Sequence, residues 1–202
     1  MNKYEEYSIK RYNSIADIYD TTPDGRFTAK HKERILDFCV VSPGDRVLDV
    51  GCGNGSLIAA LSHKAQIEAH GVDISPNMIA VCQSRYPHIN FQLANGDTLP
   101  YGDGDFDILT ICCVLHHMYN PQAFFREAHR VLRTGGALII AELWLPIGLK
   151  QLADWIVLPL LKAGDNKLFS HTQLKKLYTE NCFSICDVYK KGFVQIVGAR
   201  KE

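Results

Sequence analysis

The sequence predicts a doubly wound α/β fold: a seven-stranded, mostly parallel sheet with helices on its faces, an antiparallel last strand and extra helices at the amino end. Three observations predict it. Short β-branched or apolar runs alternate with segments of helical periodicity through most of the chain. An apolar strand at Val47 to Val50 runs into a glycine-rich turn and then a helix. The last two strand-like runs, Phe183 to Tyr189 and Phe193 to Ala199, are joined only by Lys190-Lys191-Gly192. Parallel neighbours need a crossover of roughly a dozen residues or more, so these two run antiparallel if they share a sheet.

Taken in order, the chain opens with two helical pieces, Tyr4 to Tyr19 and Thr28 to Cys39, with Thr22-Pro23-Asp24-Gly25 between them as a linking turn. The first places Tyr4, Tyr12, Ile15 and Tyr19 on one stripe. Strands follow at Arg46 to Val50, Glu68 to Val72, Asn90 to Leu93, Phe106 to Cys113 and Ala137 to Leu143. Helices are expected between them at Ser56 to His63, Pro76 to Arg85 and Pro121 to Leu132. Ser75-Pro76 and Asn120-Pro121 each pair a capping residue with a proline at the first helical position. Gly135-Gly136 reads as a helix stop. A mostly apolar helix is expected at Ile147 to Lys162, and Ser170-His171-Thr172-Gln173 is a capping box for a helix to about Glu180.

Composition narrows the function classes. The 202 residues are 47% hydrophobic and 22% charged, as in an ordinary soluble domain. Lys plus Arg is 22 and Asp plus Glu is 22, so the basic excess of a nucleic-acid binder is missing. The seven cysteines are odd in number, scattered and partly set in apolar runs, which reads as free thiols in a reducing cytoplasm. Met1 to Tyr12 has no apolar core, so neither a secretory signal nor an anchor is expected there. The greasiest stretch, Leu143 to Leu161, is broken by Lys150, Gln151 and Asp154 and falls short of the roughly 20 apolar residues of a membrane span.

The chemistry centres on Gly51, Gly53 and Gly55 after Asp49-Val50. Missing side chains let a ligand approach the backbone, and the amides at the helix start favour an anion. Roughly 20 positions on, Asp73 ends the second strand, where a carboxylate accepts both hydroxyls of a ribose. An adenosine-containing cofactor is the common denominator. A nicotinamide-dependent oxidoreductase and a non-catalytic cofactor-binding protein share these features, although the antiparallel ending counts against a plain dinucleotide-binding domain.

Further motifs stand in register: Gly71 to Met78, Asn95 to Pro100, Asp105-Phe106-Asp107, Val114-Leu115-His116-His117, and Val131 to Leu138. With Val47 to Gly55 they resemble the class I S-adenosylmethionine-dependent methyltransferases, particularly the ubiquinone and menaquinone biosynthesis group (methyltransferase type 11). The resemblance is good over residues 46 to 142. It implies S-adenosyl-L-methionine as cofactor, a Rossmann-like methyltransferase fold with an antiparallel seventh strand, and a small-molecule methyl acceptor. It further implies one methyltransferase domain over 1–202, with a helical cap (1–40), a cofactor-binding core (46–142) and acceptor-side helices (145–182). Asp49 and the backbone of Gly51 and Gly53 would hold the methionine part, Asp73 the ribose, and Ile74 and Met78 the adenine. Asp97 would accept from the adenine amino group beside the Thr98 backbone, and Cys113 would pass close to the methionine part.

Methyl transfer from a sulfonium mainly needs alignment of the acceptor and exclusion of water. An acceptor that loses a proton also wants a base, for which His116 and His117 stand at the carboxyl edge of the sheet, His116 first. Tyr12 and Tyr19 offer aromatic faces to a sulfonium. The helix after strand five sits where such enzymes build an acceptor lid, and its Trp155, Ile156, Leu158 and Leu160 hint at a hydrophobic acceptor. No metal is expected. Cys112-Cys113 belong to a strand end with no second pair at hand, and Asp103-x-Asp105-x-Asp107 has Ile108 where a calcium loop needs glycine.

Overall fold

The computed structural model describes residues 2–157 and 164–202. Seven strands form one sheet: β1 (Arg46–Val50), β2 (Glu68–Asp73), β3 (Asn90–Leu93), β4 (Phe106–Cys112), β5 (Leu132–Leu143), β6 (Phe183–Lys191) and β7 (Val194–Lys201). Their spatial order is β3-β2-β1-β4-β5-β7-β6. All neighbours are parallel until β7, which pairs antiparallel with β5 on one side and β6 on the other. The short Lys191 to Val194 turn enforces that reversal, as expected.

Helices cover both faces. Strand alternation in β1 sends Val47 to one apolar layer and Leu48 and Val50 to the other. The Val47 layer is filled by Ile35 of α2 (Pro23–Phe38), Leu57, Ile58 and Leu61 of α3 (Ser56–Lys64), and Ile79 and Cys82 of α4 (Pro76–Arg85). The opposite layer takes Phe124, Phe125 and Ala128 of α5 (Pro121–Val131) and Leu174 and Tyr178 of α7 (His171–Glu180). Between β5 and α7 lies α6 (Ile147–Leu152), which runs into a wider π turn over Ala153–Val157. No helix among the described residues is long and apolar enough to cross a membrane. The free cysteines are buried except Cys182 and Cys186.

Three sequence expectations change. The first helix is α1 (Lys3–Ile15), and Ala16–Thr21 tightens into a 3-10 turn. Thr22-Pro23-Asp24-Gly25 is no linker but the start of α2: Thr22 accepts from the Gly25 amide at 3.1 Å with Pro23 behind it. Gly25 is needed there because a Cβ would lie 2.0 Å from the Tyr19 carbonyl oxygen. Gly135-Gly136 does not stop a helix. α5 ends at Val131, and the glycines lie inside β5, with Gly135 at φ +75°, next to the register shift opposite Phe106 and Ile108.

The chain leaves β1 for β2 on one side and returns to β4 on the other. In open α/β sheets the crevice at the carboxyl ends of such diverging strands is where ligands bind.

Candidate active site

That crevice is a cleft with an open mouth. Its floor is the turn after β1. Gly51, Gly53 and Gly55 all have positive φ (+69°, +55° and +77°), a conformation that costs other residues roughly 1–2 kcal/mol each. The three glycines serve different ends. A Cβ on Gly51 would lie 2.5 Å from a Val114 methyl, whereas one on Gly53 would meet nothing within 4 Å, because Gly53 borders the cleft.

Asp73 is buried beside this turn. Its Oδ2 accepts from the Gly53 amide at 2.9 Å and its Oδ1 from the Ser75 amide at 2.8 Å. Burial pushes its pKa up against those donors. Each oxygen keeps a lone pair for a ligand in the cleft, which Asp73 lines together with the apolar Ile74 and Met78. Asp97 lines the far wall beside Asn95 and Gly96, and Cys112 and Cys113 close the end of β4. Cys113 takes φ +56° as the strand turns away, its amide held by the Ala141 carbonyl at 2.8 Å.

The roof is the amino-terminal helix. Glu5, Ser8 and Tyr12 of α1 and Tyr19 of the following turn line the cleft. Asn13 fastens α1 to the β2–α4 turn, accepting from Ser75 Oγ at 2.7 Å and from the Asn77 amide at 3.2 Å. Glu5 accepts from Asn95 at 3.2 Å, and Tyr4 stacks on Tyr119 at the mouth. Tyr12 and Tyr19 meet edge to face, 6.3 Å between centroids. Lys32 of α2, which sequence reasoning passed over, also borders the cleft. Its ammonium donates to Asn54 Oδ1 at 3.0 Å and Ser56 Oγ at 2.8 Å and stands 5.7 Å over the Tyr19 ring.

Of the cofactor and base residues that the resemblance implied, the cleft gathers Tyr19, Gly51, Gly53, Asp73, Ile74, Met78, Asp97, Cys113 and His117, with Tyr12 beside them, and leaves out Asp49, Thr98 and His116. Asp49 is buried behind the glycine turn, its Oδ1 accepting from Thr110 at 2.8 Å, because strand alternation turns it to the same face as Val47, beside its register partner Thr110 of β4. Burial raises its pKa to about 7, with the Thr110 bond and Lys32 opposing. Thr98 is exposed, and its amide is spent on the Asn95 carbonyl at 3.1 Å.

The third is His116. The turn at Leu115–His117 leaves the two imidazoles side by side, 4.2 Å between centroids, but only His117 reaches the cleft. His116 Nδ1 lies 2.7 Å from the buried Glu142 and its Nε2 3.3 Å from Asp165. Burial alone would lower the His116 pKa, but the two carboxylates outweigh it and raise it to about 10. With both nitrogens facing carboxylates, the His116 ring does not line the cleft, and His117 is the histidine that stands beside it. Burial and the neighbouring His116 charge instead pull His117 down to about 4, and the Tyr12 hydroxyl lies 3.0 Å from its Nε2. Asp165 carried no sequence signal. Trp155 is 85% exposed, and none of the described residues of 147–157 lines the cleft. Leu158 and Leu160 lie outside the described residues, as does the side chain of Ile156.

Residues 48–140 match a family model described as a methyltransferase domain. Demethylmenaquinone methyltransferase of Tropheryma whipplei (strain Twist) is 32% identical over 139 residues, covering 66% of this chain and 57% of that protein. The ubiquinone/menaquinone biosynthesis C-methyltransferase UbiE of Stenotrophomonas maltophilia is 31% identical over 142 residues, 65% of this chain and 56% of that one. The chain thus spans under two thirds of these relatives. Geranyl diphosphate C-methyltransferase from Streptomyces coelicolor A3(2), solved with Mg2+, geranyl diphosphate and S-adenosyl-L-homocysteine, superposes with a TM-score of 0.80 at 14% identity. The overlap covers 98% of each chain, a likeness of fold.

Proposed function

We propose that the chain, whose residues 48–140 match a methyltransferase-domain model, is a class I S-adenosylmethionine-dependent methyltransferase that transfers a methyl group from S-adenosyl-L-methionine to a small, apolar acceptor. The observation that carries the reading is the buried Asp73 carboxylate, fixed by the Gly53 and Ser75 amides, on the same cleft as the open face of Gly53. A polar anchor, an uncrowded backbone and apolar flanks fit the chemistry of an adenosyl group.

In this reading Asp73 holds the ribose hydroxyls, Ile74 and Met78 flank the adenine, and Asp97 accepts from its amino group. The backbone of Gly51 and Gly53 receives the methionine part. Lys32 takes its carboxylate, and Asp49 acts on its ammonium through the field behind the turn rather than by contact. Tyr12 and Tyr19 turn ring faces toward the sulfonium end. When bound, the cofactor supplies a methyl group already activated by the positive charge on sulfur.

The acceptor then enters past Val114, where Tyr12, Met118 and Tyr119 offer aromatic and thioether walls and His117 with the Tyr12 hydroxyl the polar contact. Those walls suit a flat, weakly polar molecule. The relatives named for demethylmenaquinone and for ubiquinone and menaquinone biosynthesis support a quinol-like acceptor. The residues orient it and keep water out, and no nucleic acid is involved.

Titration calorimetry tests the cofactor half: micromolar binding of S-adenosylhomocysteine without binding of NAD is expected, and the reverse pattern removes the proposal. Transfer of label from methyl-labelled S-adenosylmethionine to a panel of quinols and phenols, lost in Asp73→Ala, tests the enzyme half. A protein that binds the nucleoside yet labels none of the panel points to a non-catalytic role or a different acceptor class.

A further inference from the structure

We infer that His116, His117 and Asp165 form a binding site for a divalent transition-metal ion of the zinc type. One nitrogen of each imidazole and one Asp165 oxygen lie within 4.8 Å of one another. Asp165 Oδ1 is 3.3 Å from His116 Nε2 and 3.7 Å from His117 Nδ1. Ligands bonded to zinc at about 2.0–2.1 Å and spread tetrahedrally stand roughly 3.3 Å apart; the His116–Asp165 separation matches this and the His117–Asp165 separation is wider.

The directions of the rings carry the argument further. Each imidazole is held by its far nitrogen and presents the near one to the cluster. His116 Nδ1 is 2.7 Å from Glu142 Oε2, while Glu142 Oε1 accepts from the Leu115 amide at 2.7 Å. His117 Nε2 is 3.0 Å from the Tyr12 hydroxyl. Metal-bound histidines characteristically donate their other N–H to a carboxylate or a similar group, which fixes tautomer and ring angle. The near nitrogen of His117, Nδ1, is buried and makes no hydrogen bond of good geometry, with only the Gly164 backbone and Asp165 beside it. A buried polar atom so weakly paired is costly, and an ion removes that cost.

The frame is built in advance. The amides of Asn166 and Lys167 both donate to the His116 carbonyl, at 2.8 and 3.2 Å, and the Asn166 side chain donates to the Met118 carbonyl at 3.1 Å. These bonds press the Asp165 segment onto the histidine turn. Two nitrogens and one oxygen suit zinc, cobalt and iron better than magnesium or calcium. Three protein ligands leave a position open, as catalytic rather than purely structural zinc sites do. The thiols of Cys112 and Cys113 are not part of the set. This inference stands apart from the choice of methyl acceptor.

Purified protein stripped with a chelator would be titrated with Zn2+ by calorimetry and with Co2+ by visible absorption. One equivalent of each is expected to bind, and the cobalt spectrum should show ligand-field bands without a thiolate charge-transfer band. Asp165→Asn and His117→Gln should each weaken binding at least a hundredfold. Glu142→Gln, which spares the ligands but loosens the His116 ring, should weaken it about 10- to 100-fold. Thermal melting of each variant without metal reports folding, and should one variant fail to fold, the cobalt spectrum of the wild type decides alone. Absence of stoichiometric binding, or a thiolate band pointing to the exposed Cys182 and Cys186, overturns the site. Undiminished affinity in both ligand variants does the same.

Discussion

Replacing Asp73 with alanine removes a carboxylate that organises the glycine turn and, in the proposed reading, holds a ribose. Hydrogen bonds to a charged group contribute about 1.5–3 kcal/mol each. Two of them lost from a ribose diol, at the low end because burial pushes the Asp73 pKa up, weaken binding by about 3 kcal/mol, or roughly a hundredfold in Kd. The complication is that Asp73 also accepts from the Gly53 and Ser75 amides, so a loss of affinity alone does not separate direct grip from a slackened turn. A thermodynamic cycle separates them. Calorimetry with S-adenosylhomocysteine and its 2′-deoxy analogue on wild type and Asp73→Ala gives four affinities. If Asp73 contacts the sugar, the wild type loses about tenfold on removal of the hydroxyl and the variant almost nothing. A variant that still discriminates tenfold between the two nucleosides would refute the assignment, whatever its absolute affinity.

Three further outcomes follow from the same geometry. Lys32→Ala should weaken S-adenosylhomocysteine binding about tenfold, as for one charge-assisted bond, and leave 5′-methylthioadenosine, which lacks the amino-acid part, unaffected in the same titration. Gly51→Ala should lower stability by about 2 kcal/mol or more in denaturant unfolding, through the Val114 clash added to the positive φ, while Gly53→Ala should lower it by only about 1 kcal/mol yet obstruct the nucleoside. Asp49 is an acid whose pKa rises from 3.8 to about 7 on folding. Its contribution is therefore fully present below pH 3.8 and is lost as pH climbs to about 7, by up to about 4 kcal/mol. Asp49→Asn escapes that loss, so its melting temperature relative to wild type should rise between pH 4 and pH 8, and a gap independent of pH contradicts the burial argument.

Features written locally in the chain were the legible ones. The strand, glycine turn and helix at Val47 to Ser56, the Ser75-Pro76 and Asn120-Pro121 starts and the tight turn before β7 each follow from a few adjacent residues. The reading failed where one local signal had two meanings. Thr22-Pro23-Asp24-Gly25 fits a linker as well as a helix cap, and Gly135-Gly136 fits a helix end as well as a bulge. It stops short where side-chain direction decides, as with Asp49, which turns to Thr110 rather than the cleft, and with His116, whose ring faces Glu142 and Asp165 while the neighbouring His117 lines the cleft. Lys32 and Asp165 left no trace at all. One sits mid-helix and the other in a connecting segment, and only tertiary folding brings them to Asn54 and Ser56 and to the histidine turn.

The fastening of α1 over the cleft has a kinetic meaning. Glu5, Ser8 and Tyr12 form one wall, and that wall is tied to three separate loops by Asn13, Glu5, Tyr4 and Tyr12. In the proposed reading a nucleoside lies beneath that helix, so removing the first helix is expected to quicken its exchange and weaken its retention in a stopped-flow chase, and an unchanged exchange rate contradicts the role.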